Sequence, residues 1–405
     1  MASSGSDTAA PLAAMKSLVQ TTSSLITQLE SYLHSVAVTT NPASAATLSS
    51  PHPGTPTSSN PDHSDPFSLA HDSASLIRAH STKLSLFIIN NPFTPTAISK
   101  VLRELVAGPI PAIASAVQLC DPARYTSAAR RDLAWRCYRV LHELRVLVDV
   151  IPLDGKILSD KQKNGAKGDK GSLVSTGVLW AACDDVIALK SLGIAGLLVK
   201  KVEEYRDTLK DVLEELKEWS EEVEEDSDND DDNDNNNNNG VADITGGMQS
   251  THLSAQEMID DLMDAPRIPR NDPDRIRERL DSCLKRLRLT TLMYSAVVKR
   301  RLKPLSASKL LPVPASAVTE DAPSGSVAKR LDEVMPLLKG LPHRFGDVAA
   351  AFYDLDADAI DRAMDTCFFD AFAASDMLMK PWDGSVKDEF TDWAEKFQIS
   401  IKKPD

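Results

Sequence analysis

The 405-residue sequence is poor in the residues that build sheets and catalytic centres. Aromatic residues make up only 5 % of it, while Ala, Leu and Val dominate the apolar fraction of 42 %. That balance favours helix over strand. No Asn-Gly or Asp-Gly turn lies between two alternating apolar runs, so no hairpin is indicated. The five cysteines, Cys120, Cys137, Cys183, Cys283 and Cys367, are odd in number and far apart, and none shares a Cys-x-x-Cys spacing. A disulfide framework is therefore not expected, and buried reduced thiols in a reducing compartment are. No window approaches 18 uninterrupted apolar residues, and the Ser/Ala-rich start, residues 1–11, has no basic region followed by an apolar core. Neither a membrane span nor a secretory signal is expected.

The chemical motifs are missing in the same way. There is no Gly-x-Gly-x-x-Gly, no phosphate-binding loop and no Gly-x-Ser-x-Gly elbow. The eight histidines are scattered, without a His-x-x-x-His or His-Glu-x-x-His pair, so no zinc site is indicated and no cofactor is expected. Two acidic runs imitate calcium loops. Asp226 to Asn233 lacks the turn glycine and the terminal bidentate glutamate, and reads as a solvated tract. Asp354, Asp356 and Asp358 stand where a helix begins, and carboxylates there satisfy free N–H groups and the helix dipole. The sequence is read as that of a non-enzyme.

What is present is charge, unevenly spread, and helical periodicity. The formal net charge is −14, yet Glu221 to Asp234 carries ten acidic residues and no basic one, which leaves −4 for everything else. Helical stripes recur along the rest of the chain. One runs through Leu18, Leu25, Leu29, Leu33 and Val36. A second covers residues 65–90 and is stopped by Asn91-Pro92. Shorter helices at 96–107 and 110–119 follow. A long one over 123–151 carries Leu133, Cys137, Val140, Leu144 and Val148 on one face. Gly193 separates a helix at 172–189 from a longer one at 194–223. Beyond the acidic and Asn-rich tract, helices are expected at 253–263, 272–302, 326–339, 341–353, 358–380 and 385–399, with 304–323 a loop. Trp180, Trp219 and Trp393 fall on apolar stripes and are expected in cores.

The pattern predicts an all-α fold of two up-and-down bundles joined by an acidic linker. The divisions are an N-terminal helix with a Pro/Ser-rich segment (1–64), a bundle (65–224), the acidic linker (225–250) and a second bundle (251–405). The helix at 272–302 is locally basic, with Arg275, Arg279, Arg286 and Arg288 among its charges. These four make a candidate partner-binding face. The plainer reading is a solvated helix surface. No interleaved aromatics point to nucleic acid, which is not an expected partner.

The segment Ser175-Thr176-Gly177-Val178-Leu179-Trp180-Ala181-Ala182-Cys183-Asp184, ahead of a Gly-broken, Glu-rich helix, resembles the Thr-Gly-x-x-Trp-x-x-Cys-Asp region of the cyclin-D-binding protein family, also called GCIP. The order of features from about Asp65 to Ile399 is similar as well. Trp180, Cys183 and Asp184 carry the resemblance. It implies helical bundles similar to vinculin- or talin-like modules. It also implies a regulator of cell-cycle or transcriptional control that binds D-type cyclins or helix-loop-helix factors in nucleus and cytoplasm. A cytoskeletal adaptor of the vinculin/talin kind is the alternative. The helix at Arg275 departs from a true basic helix-loop-helix, because its basic residues share one helix with its apolar stripe.

Overall fold

The computed structural model describes residues 9–39, 65–165, 171–221, 267–269, 271–308, 310–314 and 323–402. Among these the chain is all α, and no strand occurs. The acidic tract 225–250 and the helix expected at 253–263 lie outside the described residues.

The helices are α1 (Ala9–Val38), α2 (Pro66–Ile89), α3 (Pro95–Ala107), α4 (Pro109–Leu119), α5 (Pro122–Tyr125), α6 (Ser127–Asp149), α7 (Asp160–Asn164) and α8 (Ser172–Glu221). After these come α9 (Ile276–Val297), a π-helical turn (Val298–Leu302), α10 (Lys303–Ser308), α11 (Pro323–Tyr353), α12 (Ala357–Met377) and α13 (Glu389–Ile401). Several start in the same way. Asp65 accepts hydrogen bonds from the Phe67 and Ser68 N–H groups (3.4 and 2.9 Å) with Pro66 in the first turn. Asp121 accepts from Ala123 N (3.0 Å) ahead of Pro122. An acceptor at the cap and a proline whose missing N–H would be unsatisfied anyway define each start. Asp356, in the second acidic run, accepts from Ala359 N at 3.0 Å and caps α12.

One compact unit comprises Met1–Glu203, Ala296–Pro336 and Met377–Asp392. Here α1 lies along α6, and α2 packs on α4. Ile77, Leu84, Ile98, Leu102, Ile113, Leu133, Cys137, Leu144, Leu179 and Cys183 fill the interior. On α1 the buried stripe is Met15, Val19, Thr22, Ile26, Glu30, Leu33 and Val36. Leu18, Leu25 and Leu29, expected on that face, are half-buried at its edge. The face is rotated because Glu30 is drawn inward by Arg145, whose Nε donates to both carboxylate oxygens (3.1 and 3.0 Å). The helix expected at 123–151 is broken at Thr126, whose φ of 77° ends α5. Thr126 Oγ1 accepts from Ala129 N, and Asp332 accepts from Ser127 N (2.7 and 2.9 Å), so α6 starts on two caps.

The other unit comprises Glu204–Ser295, Leu337–Asp376 and Trp393–Asp405. Its interior holds Leu209, Leu216, Leu280, Cys283, Tyr294, Phe345, Phe352, Phe368 and Phe397. Trp219 lies at 6.3 Å from the Phe352 ring and 5.4 Å from Tyr353.

Prolines and glycine were expected to end helices at two places where the chain stays helical. The loop expected from Pro304 is α10, reached through the π turn. The wider turn bonds Lys303 N to Val298 O and relieves the clash that a proline ring makes with the carbonyl four residues back. Residues 326–339 and 341–353, read as two helices, are one. Pro342 has no N–H for the Leu338 carbonyl, and the buried Tyr294 hydroxyl donates to it instead (2.6 Å).

At the π turn the first unit buries a full charge. Arg301 is 1 % exposed. Its Nε donates to Leu378 O (2.7 Å), its Nη2 to Met379 O and Asp388 Oδ1 (both 2.9 Å), and its Nη1 to Asp388 Oδ2. The guanidinium carbon lies 4.3 Å from the centre of the Phe390 ring, and the Trp382 indole N–H donates to the Arg301 carbonyl (2.8 Å). Partial burial pushes the Asp388 carboxyl up, but bonds from Arg301 and Thr391 outweigh it and hold the group at about 2.

Removing one partner of a buried pair strands the other. Arg301→Ala is expected to lower stability by about 3–5 kcal/mol, read by urea unfolding. Because the folded Asp388 titrates below its ordinary value, its contribution is present above about pH 4 and is lost as pH falls through about 2. The stability difference between the wild type and Asp388→Asn should hold from pH 6 to about pH 4 and shrink from there to pH 2. A difference that is constant over that range would remove Asp388 from the ionic pair.

Candidate functional site

The Thr176-to-Asp184 segment occupies the second and third turns of α8, where i and i+4 side chains share a face. Leu179 and Cys183 point into the core, both fully buried. Trp180 and Asp184 form the outer edge of the same face and meet Arg78 of α2. The Arg78 guanidinium carbon lies 5.6 Å from the centre of the Trp180 ring, and its Nε is 3.1 Å from Asp184 Oδ1. One turn back, Thr176 Oγ1 donates to Ser172 O (2.7 Å) and can accept from the Ser85 hydroxyl, 3.1 Å away. The segment therefore fastens α8 to α2. Trp180, expected in the core, is only half-buried, because the inward positions at its level belong to Leu179 and Cys183. Trp219 is buried, and Trp393 is half-buried with its ring stacked on Phe397 at 5.2 Å.

The four arginines of the basic helix have different fates. Arg275, Arg279 and Arg286 line one side of a groove of about 280 Å³, with Asp361, Met364 and Asp365 of α12 opposite. Arg279 is bound through Nε and Nη2 to the two oxygens of Asp361 (3.2 and 3.0 Å). Arg286 is 7 % exposed. Its Nε donates to Ile401 O (2.8 Å), and its guanidinium carbon lies 3.7 Å from the centre of the Phe368 ring. Burial pushes its pKa down, opposed by Cys283 and Asp365. Arg275 is exposed, 3.9 Å from Glu278, and Arg288 is exposed. Of the positive charge read in the sequence, Arg279 and Arg286 are committed to internal partners. The groove presents as many carboxylates as guanidinium groups.

All five thiols are buried and free. Desolvation pushes Cys120, Cys183, Cys283 and Cys367 up to about 12, and Cys137 higher still. None is poised as a nucleophile. Among the described residues no group of three or more His, Cys, Asp or Glu side chains could hold a metal ion, and no helix is long and apolar enough to cross a membrane.

Sequence reading missed one surface. Trp135, 48 % exposed, stacks on Tyr138 (5.5 Å, 23°), which stacks on His142 (5.8 Å, 26°) and meets His34 of α1 (5.4 Å, 58°). The signal was present as aromatic residues at i, i+3 and i+7, off the Leu133–Cys137–Val140–Leu144 stripe.

Residues 70–222, from within α2 to the end of α8, match the family described as "Grap2 and cyclin-D-interacting, N-terminal". The Trp180–Asp184 block falls inside this stretch, which is shorter than the span from Asp65 to Ile399 suggested by the order of features. An uncharacterised protein of Schizosaccharomyces pombe is 29 % identical over 157 residues, which is 38 % of this chain and 45 % of that protein. The match thus spans less than half the length of this relative.

Two measurements check the placements. Arg286→Ala should cost about 2–3 kcal/mol through the lost buried hydrogen bond and ring contact, and Arg288→Ala should stay within about 0.5 kcal/mol. Equal effects would mean that the two arginines do not differ in burial. A thiol-disulfide reagent at pH 8 should titrate fewer than about one thiol per native chain and all five on denaturation. Rapid reaction in the native protein would contradict the burial of the cysteines.

Proposed function

We propose that the chain is a non-enzymatic regulator that works by binding other proteins, because residues 70–222 match the family described as "Grap2 and cyclin-D-interacting, N-terminal". Its partners are D-type cyclins or helix-loop-helix factors. It acts in cell-cycle or transcriptional control, in nucleus and cytoplasm. The family match is the observation that carries this reading, and the chemistry of the chain agrees with it. The cysteines are protonated and inaccessible, and two of the four arginines of the basic helix, Arg279 and Arg286, are held by internal partners. A protein-binding role asks for apolar side chains at the surface, and the matched stretch has them. Leu86 and Leu173 flank the Ser85–Thr176 hydrogen bond and are 50 % and 46 % exposed, with Val174 at 49 %. A partner helix laid along α2 and α8 would bury them through anchors at three- and four-residue spacing. The cytoskeletal-adaptor alternative has no observation of its own in support.

Isothermal titration of the full chain with a D-type cyclin tests the reading. Binding with a dissociation constant of about 1 µM or tighter is expected, weakened at least roughly tenfold, or about 1.4 kcal/mol, by Leu86→Ser with Leu173→Ser. Binding that the double variant leaves unchanged would move the contact off α2 and α8. No heat with either a cyclin or a helix-loop-helix partner at roughly 100 µM would overturn the partner assignment.

A further inference from the structure

The four-ring surface on α1 and α6 lies outside everything argued above. Two tyrosine and tryptophan rings stacked in parallel on a helix surface, with a third and fourth ring against them, leave an aromatic face turned to solvent. The charges around it are already neutralised. Arg145 is bound to Glu30, Arg139 Nη1 is 3.0 Å from Asp185, and Arg136 Nε is 2.6 Å from Asp132. An occupant of this face need carry no charge, and a charged one would find no free counter-charge among these pairs.

The place where the chain leaves the described residues selects an occupant. Ser23 Oγ donates to Asp149 (2.9 Å), Arg145 to Glu30, and His34 meets Tyr138, so α1 and α6 run antiparallel. One turn beyond His34, that register brings Val38, 57 % exposed, level with Trp135. The described chain stops at Thr39 and resumes at Asp65, the cap of α2. The resumption point is also near the start of α6, since Phe67 meets Tyr125 edge-on at 6.0 Å. From Thr126 to Trp135 the helix rises by about 14 Å, whereas the 25 residues between could reach about 80 Å when extended. The connection has ample length to pass over the rings. Its composition suits them. Residues 40–61 hold no charged side chain, and Pro42, Pro51, Pro53, Pro56 and Pro61 fall in this stretch. Proline carries a fixed φ, loses little entropy on docking, and packs its ring against aromatic faces.

We propose that the face formed by Trp135, Tyr138, His142 and His34 is a docking surface for the proline-rich segment 40–64 of the same chain.

The test uses the full-length protein. Thermolysin cleavage at the Thr47–Leu48 bond, followed by mass spectrometry, is expected to run roughly tenfold faster in Trp135→Ser with Tyr138→Ser than in the wild type. Pro51→Ser with Pro53→Ser and Pro56→Ser changes no residue of the described helices. It should accelerate the same cleavage and raise the quenching of tryptophan fluorescence by acrylamide. Should the aromatic variant lose its helical circular dichroism, the proline variant decides alone. Equal cleavage rates in the wild type and the proline variant would overturn the proposal. Protection that disappears on dilution would also overturn it, because it would assign the face to a second copy of the chain.

Discussion

The guanidinium of Arg301 is the interaction on which the first unit's C-terminal segments depend. Taking such a group out of water is tolerated only when its donors and its charge are all answered, and here they are answered by one stretch of chain. Leu378 and Met379 supply carbonyl oxygens, Asp388 supplies the counter-charge, and Phe390 covers one face. Asp388 also accepts from Phe390 N and Thr391 N (3.1 and 3.0 Å), so the carboxylate that pairs with Arg301 starts α13 as well. Arg330 holds the same stretch from α11, donating through Nη2 to Met377 O and lying 4.4 Å from the centre of the Trp382 ring. Two arginines, Arg301 buried and Arg330 half-buried, thus fix a segment that has little regular secondary structure to fix it.

The same substitution of donors and acceptors recurs where helices run through prolines. A proline inside a helix leaves a carbonyl without its N–H and presses its ring on that carbonyl. At Pro342 a tyrosine hydroxyl replaces the missing donor, and at Pro304 a π turn makes room for the ring. Tyr294 is fully buried, and desolvation raises its pKa well above the ordinary value, so it stays a neutral donor at any physiological pH. Both solutions require a side chain or a turn geometry that lies distant in sequence or invisible in it.

Charge pairing also decides what the surface can offer. Arg78, Arg136, Arg139, Arg145 and Arg279 each have a carboxylate within hydrogen-bond or ion-pair distance. The exposed ones among them, such as Arg78–Asp184 and Arg139–Asp185, contribute about 0–1 kcal/mol each. Their larger effect is to cancel local potential, which leaves uncharged groups such as Leu86, Leu173 and Trp135 exposed beside neutralised charges.

Periodicity marked most of the helices, but not the break at Thr126 or the helical run through Pro304 and Pro342. Stripes such as Leu133–Cys137–Val140–Leu144 and Leu280–Cys283–Leu287 are buried as read, because a face repeating every three to four residues can be satisfied only by packing. The Trp180–Cys183–Asp184 block was legible too, as was the absence of local metal or nucleotide motifs. What periodicity could not supply was the partner of each polar group. Glu30 turns inward only because Arg145 stands across from it, and Trp180 stays at the edge because Leu179 and Cys183 take the inward positions, with Arg78 against its ring. Arg286 and Arg288 look equivalent in the sequence, yet one is buried against Phe368 and the other is exposed. The linker expected at 225–250 lies outside the described residues, and the two compact units take alternating stretches of chain, which no composition shift marks. The sequence by itself determined that the chain is helical and, for most helices, which face is apolar, since both follow from local spacing. Only the tertiary structure decided which charges are neutralised and which rings remain outside, because those depend on groups up to more than a hundred residues apart.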